Sequence, residues 1–183
     1  MRAPGLALFD TRIGACGIAW RESAIAGLQL PEGREATAMA RLRRRFPEFA
    51  PAAPPPWVER VIAAVRDHLA GSVADLEAVP LDFAGIGAFE AAVYRAAQQI
   101  PAGTTTTYGA LARRLGDPHA ARAVGQALGR NPWPIVIPCH RVTAADGRAG
   151  GFSAPGGRST KLRLLEIEGA LAAATLPLFA RKS

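Results

Sequence analysis

The sequence predicts an α+β fold: an α/β N-terminal part with a small antiparallel sheet, followed by a mostly helical C-terminal part that contains a helix-turn-helix. Short apolar runs broken by polar turns fill the first 30 residues, as in antiparallel strands. Apolar residues recur at helical spacing after residue 88, and a tight LGDP turn joins two of the predicted helices. A domain boundary is predicted near residues 80–88, giving domains 1–83 and 84–183.

The N-terminal part is predicted to hold two or three strands, two helices and a last strand. The strands come from the runs LALFD, GACGIAW and AIAGLQL, and a helix with a basic face follows over 35–45. The proline-rich stretch 47–56 is expected to hold no regular element. Apolar spacing predicts an amphipathic helix over 57–70, closed by Gly71, and a short strand over 79–85.

Helices dominate the C-terminal part. The pattern that starts at Phe89 predicts a helix over roughly 88–99. Thr107 is a good cap for a second helix over 108–115, and Asp117, followed by proline, is a natural N-cap for a third helix.

The third helix has an unusual composition, HAARAVGQALG, and runs to Gly129. Its predicted buried stripe is Ala120, Val124, Ala127 and Leu128. The other side carries Arg122, Gly125, Gln126 and Gly129. Small residues with one arginine would allow close approach to a DNA groove, or would keep the helix slim for packing on a neighbour.

The excess positive charge lies entirely in the second half. Residues 1–83 carry ten basic and ten acidic residues, whereas residues 84–183 carry twelve and five. This excess fits a polyanionic partner such as nucleic acid. It also fits the codon bias of the source, because 20 of the 22 basic residues are arginine.

The chain contains no window that approaches the roughly 18 unbroken apolar residues of a membrane span. Its first residues, MRAPGLALFD, reach an aspartate before a signal-like apolar core could form. The sequence therefore predicts a cytoplasmic protein with reduced thiols and no membrane partner.

Cys139 lies beside His140 in the stretch PIVIPCHRV, and three interpretations are open for it. A core role would be ordinary, because free cysteine is among the most buried residue types. Zinc is disfavoured, because the two cysteines and three histidines show no ligand spacing. A nucleophile would need a base, which a bend at Pro138 could bring to the thiol, and an acid partner, which Glu166 or Glu168 could provide.

The segment RNPWPIVIPCHRV resembles the active-site signature of the O6-alkylguanine-DNA alkyltransferases, the methylated-DNA–protein-cysteine methyltransferases. The resemblance extends over roughly 86–170, from AFEAAVYRAAQQIPAGTTTTYGALA through HAARAVGQALG to KLRLLEIEG. It implies a ribonuclease-H-like α/β domain over 1–83 and a DNA-binding, alkyl-acceptor domain over 84–183.

The resemblance also implies an activity. The protein would be a single-turnover DNA repair enzyme, monomeric in solution, that needs no metal and no organic cofactor. It would move a methyl or small alkyl group from O6-alkylguanine, and from O4-alkylthymine, in double-stranded DNA to its own cysteine. The helix-turn-helix would bind the minor groove, and the damaged base would be flipped out.

Each matching position takes a role from the resemblance. Cys139 would accept the alkyl group, and His140, held by Glu168, would take the thiol proton through a water. Tyr108 would donate a hydrogen bond to the guanine ring and neutralise charge on the leaving base. Asn131 would brace the turn that leads to the active-site strand.

The remaining expected residues concern DNA and the pocket. Arg122 would enter the base stack in place of the flipped nucleotide. Other DNA contacts are expected at Thr107, Tyr108, Ala121 and Gly125. The pocket is expected to be lined by Val142, Phe152 and Ser153.

Two departures from the family pattern put the shape of the pocket in question. Phe152 stands where tyrosine is common, and the segment SAPGG (153–157) is longer than the usual connection. Cys139 itself argues against the alkyltransferase-like proteins, which lack the acceptor and only bind damage. A damage sensor or sequence-specific regulator, and a thiol hydrolase using Cys139 and His140, remain the competing functions.

Overall fold

Three antiparallel strands form the start of the chain, as the short apolar runs predict. The computed structural model describes residues 4–31, 35–72, 74–145 and 156–170. The strands are β1 (Gly5–Thr11), β2 (Gly14–Arg21) and β3 (Ala24–Gln29). Both pairings, β1 with β2 and β2 with β3, are antiparallel.

Two helices cover this sheet region and agree with the predicted spans. They are α1 (Glu35–Arg45) and α2 (Pro56–Leu69). The stretch between them corrects the expectation that 47–56 holds no regular element. Ala50–Pro51 form β4, which pairs in parallel with β1 and completes the sheet order β3-β2-β1-β4. Proline is tolerated there because β4 lies at the edge of the sheet.

The strand predicted over 79–85 is wrong. In its place Leu81 makes one isolated bridge with Ile25 of β3. The N–H of Ile25 donates to the carbonyl of Pro80, and the N–H of Asp82 donates to the carbonyl of Ile25. The Asp82 carboxylate accepts the backbone N–H of residue 84 at 3.0 Å, which turns the chain away before a ladder can form.

In the described residues after position 84, the C-terminal part contains four α-helices and one short pair of parallel strands. The helices are α3 (Ala88–Gln98), α4 (Tyr108–Arg114), α5 (Ala121–Gly129) and α6 (Gly157–Ile167). The strands are β5 (Thr106–Thr107) and β6 (Val142–Thr143). Thr107 caps α4 as predicted, because its hydroxyl accepts the N–H of Ala110 at 3.1 Å. Helices α4 and α5 pack on each other as the helix-turn-helix.

Helix α5 begins later than the sequence predicts. The Asp117 side chain accepts the N–H of His119 at 2.9 Å and closes a separate turn over 118–120. The helix therefore starts at Ala121 instead of directly after Asp117. Its predicted buried stripe is confirmed at Ala120, Val124, Ala127 and Leu128.

The main hydrophobic core contains residues from both sides of position 84. Trp133 is fully buried within it and donates from Nε1 to the carbonyl of Ile25 in β3 at 2.8 Å. The N–H of Leu28 likewise donates to the carbonyl of Pro132 at 2.9 Å. The N-terminal sheet therefore supports the segment that leads to Cys139. The division into domains 1–83 and 84–183 stays a prediction.

None of the helices in the described ranges combines the length and apolar character that crossing a bilayer requires.

Candidate functional site

The apolar run before Cys139 is a tight turn, which corrects the expected active-site strand. Pro134 and Ile137 form an isolated bridge, and Ile135 adopts a positive φ of 79°. A short 3-10 helix, Cys139–Arg141, follows directly. Because this segment is not extended, neighbouring side chains need not point to opposite faces.

Asn131 holds this turn together from inside, as expected for a bracing residue. Its side-chain N–H donates to the carbonyl of Ile137 at 2.8 Å, and its side-chain oxygen accepts the N–H of Trp133 at 2.9 Å. One amide thus spans the loop that positions Cys139. Its function in the reaction stays a prediction.

His140 and Glu168 are in direct contact, the arrangement that the resemblance implies. His140 Nε2 lies 2.8 Å from Glu168 Oε1, and the side chains are 1% and 2% exposed. Burial lowers the pKa of His140, although Glu168 acts in the opposite direction. The imidazole is therefore neutral and donates from Nε2. Its Nδ1 is buried and has no hydrogen-bond partner among the described residues, so it is free to accept a proton.

Glu168 stays ionised in this buried position. Burial alone would raise its pKa, but hydrogen bonds from His140, His68 and Arg141 hold the pKa well below its usual range. Arg141 donates from Nε to Oε2 at 2.9 Å and from a terminal nitrogen to Oε1 at 2.7 Å. It also donates to the carbonyl of Ile100. A buried arginine on both oxygens fixes the plane of the carboxylate.

Cys139 lies in a buried but polar environment. The residue is only 7% exposed, and burial raises the pKa of its thiol. A hydrogen bond with the Asn131 side chain, the positive charge of Lys161 and nearby backbone groups act against this increase. The resting thiol is protonated, and the groups around it favour the thiolate once the proton leaves.

Lys161 is the source of that positive charge and is completely buried. Its ammonium group donates to the carbonyl of Val142 at 2.6 Å and lies 5.8 Å from the centre of the Tyr108 ring. Burial lowers its pKa to about 8, while the charge of Cys139 in its thiolate form acts to raise it. At neutral pH Lys161 therefore remains largely protonated.

The inward face of α6 is formed by Lys161, Leu164 and Leu165, which are buried, whereas Leu162 and Ile167 are only partly buried. Helical spacing of apolar residues cannot identify a buried lysine, because its burial depends on a carbonyl from another segment.

Tyr108 lies at the start of α4 and is partly buried. Burial raises the pKa of Tyr108, and the charge of Cys139 in its thiolate form acts in the same direction, so the phenol keeps its proton. Gly125 faces this ring: a Cβ added there would lie 3.7 Å from two ring carbons. The structure therefore brings Tyr108 and Lys161 close to the thiol, with Gly125 against the Tyr108 ring.

The other predicted DNA-contacting residues lie on the helix-turn-helix. Arg122 is exposed on α5, away from the buried stripe, and Ala121 and Thr107 are partly exposed. Val142 is buried, and its carbonyl is the group that binds Lys161. Phe152 and Ser153, with most of the SAPGG segment, lie outside the described residues.

Sequence reasoning missed the roles of three buried cationic or basic side chains: His68, Arg141 and Lys161. Arg141 directly follows Cys139 and His140 in the recognised motif. This position is the available signal in the sequence for a role of Arg141 at the site. The sequence around His68 shows no metal-ligand spacing and no other sign of a function, but its Nε2 lies 2.8 Å from Glu168 Oε1. No local pattern in the sequence of α2 indicates a contact 100 residues away.

Comparison with known proteins gives consistent matches. The sequence profile of "6-O-methylguanine DNA methyltransferase, DNA binding domain" matches residues 88–170. The methylated-DNA–protein-cysteine methyltransferase of Methanothermobacter thermautotrophicus is 35% identical, over 84% of this chain and 78% of that protein. The DNA base-flipping protein of Thermus thermophilus is 44% identical, over 61% of this chain and 74% of its own length. The crystal structure of Mycobacterium tuberculosis OGT in complex with DNA superposes with a TM-score of 0.73 at 31% identity, over 91% of this chain and 93% of that one.

Proposed function

Because the chain belongs to the methylated-DNA–protein-cysteine methyltransferase family, we propose that it repairs DNA by moving a methyl or small alkyl group from O6-alkylguanine to Cys139. O4-alkylthymine is the second substrate of this proposal. The observation that carries it is a neutral, buried His140 held by an ionised Glu168, next in sequence to a thiol with a nearby ammonium group.

The proposed reaction is an in-line displacement at the alkyl carbon. The thiol proton passes through a water to Nδ1 of His140, and Glu168 stabilises the imidazolium that forms. The thiolate sulfur then forms a bond to the alkyl carbon, and the bond from that carbon to O6 breaks with its electron pair going to guanine. Guanine takes up one proton, for which the Tyr108 hydroxyl is the proposed donor. Tyr108 then regains a proton from solvent, and the His140 imidazolium releases one to solvent through the water.

The product thioether has no leaving group for a return step, so each protein molecule reacts once. This distinguishes the proposal from a thiol hydrolase that uses Cys139 and His140. A hydrolase would release product continuously, whereas the transferase saturates at one alkyl group per protein.

The alkylated O6 of a paired base is inside the duplex, so the nucleotide must rotate out at a cost of about a few kcal/mol. Arg122 is the proposed residue that fills the vacated stack. Its exposed position on a helix of small residues supports this role. The excess of basic residues after position 84 supports binding to duplex DNA.

The proposal also assigns a role to each of the two predicted domains. Residues 84–183 would bind DNA in the minor groove and accept the alkyl group, and residues 1–83 would form a ribonuclease-H-like support. The protein would act as a cytoplasmic monomer, associated with the nucleoid if its source is bacterial.

Intact-protein and peptide mass spectrometry test the proposal. After incubation with duplex DNA containing O6-methylguanine, we expect one added methyl group, on the peptide that bears Cys139, under reducing conditions. Cys139→Ala should take up none. An unmodified wild-type protein that still binds the lesion would instead support binding alone, the second candidate function that the similarity to a DNA base-flipping protein favours.

Two variants separate the steps. Arg122→Ala should weaken repair of duplex DNA far more than reaction with free O6-benzylguanine, since the free base needs no flipping. Equal losses on both substrates would remove Arg122 from the flipping step. Glu168→Gln should slow alkylation with little change in DNA affinity, and a normal rate would remove Glu168 from the proton relay.

A further inference from the structure

His68 is a buried polar residue of α2 that the chemistry above does not use. Its side chain is 4% exposed, and its Nε2 lies 2.8 Å from Glu168 Oε1. The same oxygen binds Nε2 of His140 at 2.8 Å and a terminal nitrogen of Arg141 at 2.7 Å. Because an ionised carboxylate only accepts hydrogen bonds, His68 donates from Nε2. We propose that His68 is a positioning residue for alkyl transfer, which holds the Glu168 carboxylate in the orientation that orients His140.

The source of each contact supports this assignment. Glu168 follows the last residue of α6, so its own helix fixes only the backbone. His140 and Arg141 belong to the 3-10 helix that carries Cys139 and therefore move with the thiol. Among the residues that the structure describes, His68 provides the contact to Glu168 from the N-terminal half. It anchors the carboxylate to a helix that is independent of the reacting segment.

The chemistry of His68 also points to a function beyond packing. Its Nδ1 is buried and has no hydrogen-bond partner within the described part of the chain. A buried polar atom without a partner costs about 1–3 kcal/mol. The neighbouring inward positions of α2, Val65 and Leu69, are apolar and fully buried. An apolar side chain at position 68 would avoid this cost, so the contact with Glu168 is the interaction that accounts for a histidine here.

His68 also lines a cavity of about 320 Å³, together with Ile100, Ala102 and Arg141. A small heteroaromatic molecule has access to the position of the imidazole if that side chain is removed. This makes chemical rescue possible, and rescue distinguishes a hydrogen-bond donor from a space-filling group.

The proposal rests on the proposed function, and the experiment measures the rate at which the full-length protein methylates itself on O6-methylguanine duplex DNA. His68→Leu should react about tenfold more slowly, which corresponds to the free energy of about one hydrogen bond. Its DNA affinity should change by less than about twofold. His68→Gln, which keeps an N–H donor at a similar distance, should regain most of the rate. Imidazole should rescue His68→Ala at pH 8, whereas 1-methylimidazole, which in its neutral form has no N–H to donate, should not.

Gln29→Leu is the matched control. Gln29 is a buried polar residue of the same half, and its side chain donates to the carbonyl of Ala38 at 3.1 Å, in a contact separate from Glu168. This variant should lose thermal stability and keep its transfer rate.

The outcomes separate the two proposals. A wild-type protein that acquires no methyl group overturns the proposed function itself. An active wild type with an equally fast His68→Leu overturns the positioning role. Equal rescue by imidazole and 1-methylimidazole, or an equal rate loss in Gln29→Leu, would also overturn it, because either result assigns His68 to packing.

Discussion

The two cysteines of this chain share burial and differ in what surrounds the sulfur. Cys16 in β2 is 1% exposed and Cys139 is 7% exposed. Burial raises the pKa of Cys16 to about 12, and the hydroxyl of Thr11, 3.8 Å from its sulfur, provides the opposing contact. Burial also raises the pKa of Cys139, but an amide, an ammonium group and backbone groups oppose it there. A buried thiol is therefore unreactive unless polar neighbours stabilise its thiolate form.

Those neighbours come from separate parts of the sequence. Asn131 belongs to the loop after α5, Lys161 to α6, and the backbone groups to the 3-10 helix itself. Both cysteines belong to the main hydrophobic core, and the polar contact at Cys16 comes from Thr11, on the neighbouring strand β1. The contrast predicts which changes should remove the difference between the two thiols.

Thiol labelling should show the largest difference. At pH 8 about one Cys16 thiol in ten thousand is ionised if its pKa is about 12. We expect iodoacetamide to label Cys139 faster than Cys16 in the folded protein, as measured by peptide mapping over time, because Cys139 is the more exposed residue and has polar neighbours that favour the thiolate. In denaturant the two rates should become similar. Comparable labelling of both thiols in the folded protein would contradict the contrast.

Replacing Lys161 should make Cys139 more like Cys16. Lys161→Met removes the charge that opposes burial, so the pKa of Cys139 should rise and transfer at pH 7 should slow by about tenfold to a hundredfold. The difference from wild type should shrink above pH 8, because the wild-type Lys161, with a pKa of about 8, then loses its own charge. The pH profile of the transfer rate measures both effects.

Arg163→Met is the control for this change, since Arg163 lies on the same helix with its side chain 50% exposed and paired with Glu166. It should leave the profile unchanged. A uniform decrease for Lys161→Met at every pH would show that its charge has no effect on the thiol.

The sequence predicts the reactive position better than it predicts the groups that control it. Cys139 and His140 are adjacent in a specific motif, and Glu168 follows from the resemblance. The strands and helices with regular apolar spacing were also predicted, including α1 over its full length.

The failures have a common physical cause. Asp117 forms a turn of its own instead of capping α5, and the run before Cys139 folds into a turn because Asn131 bonds across it. Lys161 is buried on the inner face of α6, where a charged residue is not expected. His68 reaches Glu168 across 100 positions. Each depends on a partner that the local pattern does not contain.

Removing Asn131 should have a smaller effect than removing Lys161. Asn131→Ala deletes the side-chain bonds to Ile137 and Trp133 and the one that lowers the pKa of Cys139. We expect transfer about tenfold slower and unfolding about 1–3 kcal/mol easier, from kinetics and urea titration. Asp117→Ala, which removes a comparable turn contact on the surface, should leave the transfer rate unchanged. An unchanged rate in Asn131→Ala would assign this residue to folding alone.

The smallest expected effect is the alkaline stability of the fold, to which Cys16 contributes directly. Its pKa is about 12 in the folded protein and about 8.5 when unfolded, so the unfolded chain releases its proton first. The contribution of the protonated Cys16 thiol to stability is fully present below pH 8.5 and decreases as the pH rises toward 12. Between pH 7.5 and 9.5 the thiol should lower the free energy of unfolding by about 1.4 kcal/mol. Urea titrations at both values should show this loss in wild type, relative to Cys16→Ala. The same loss in both proteins would mean that Cys16 ionises as easily in the core as in the unfolded chain.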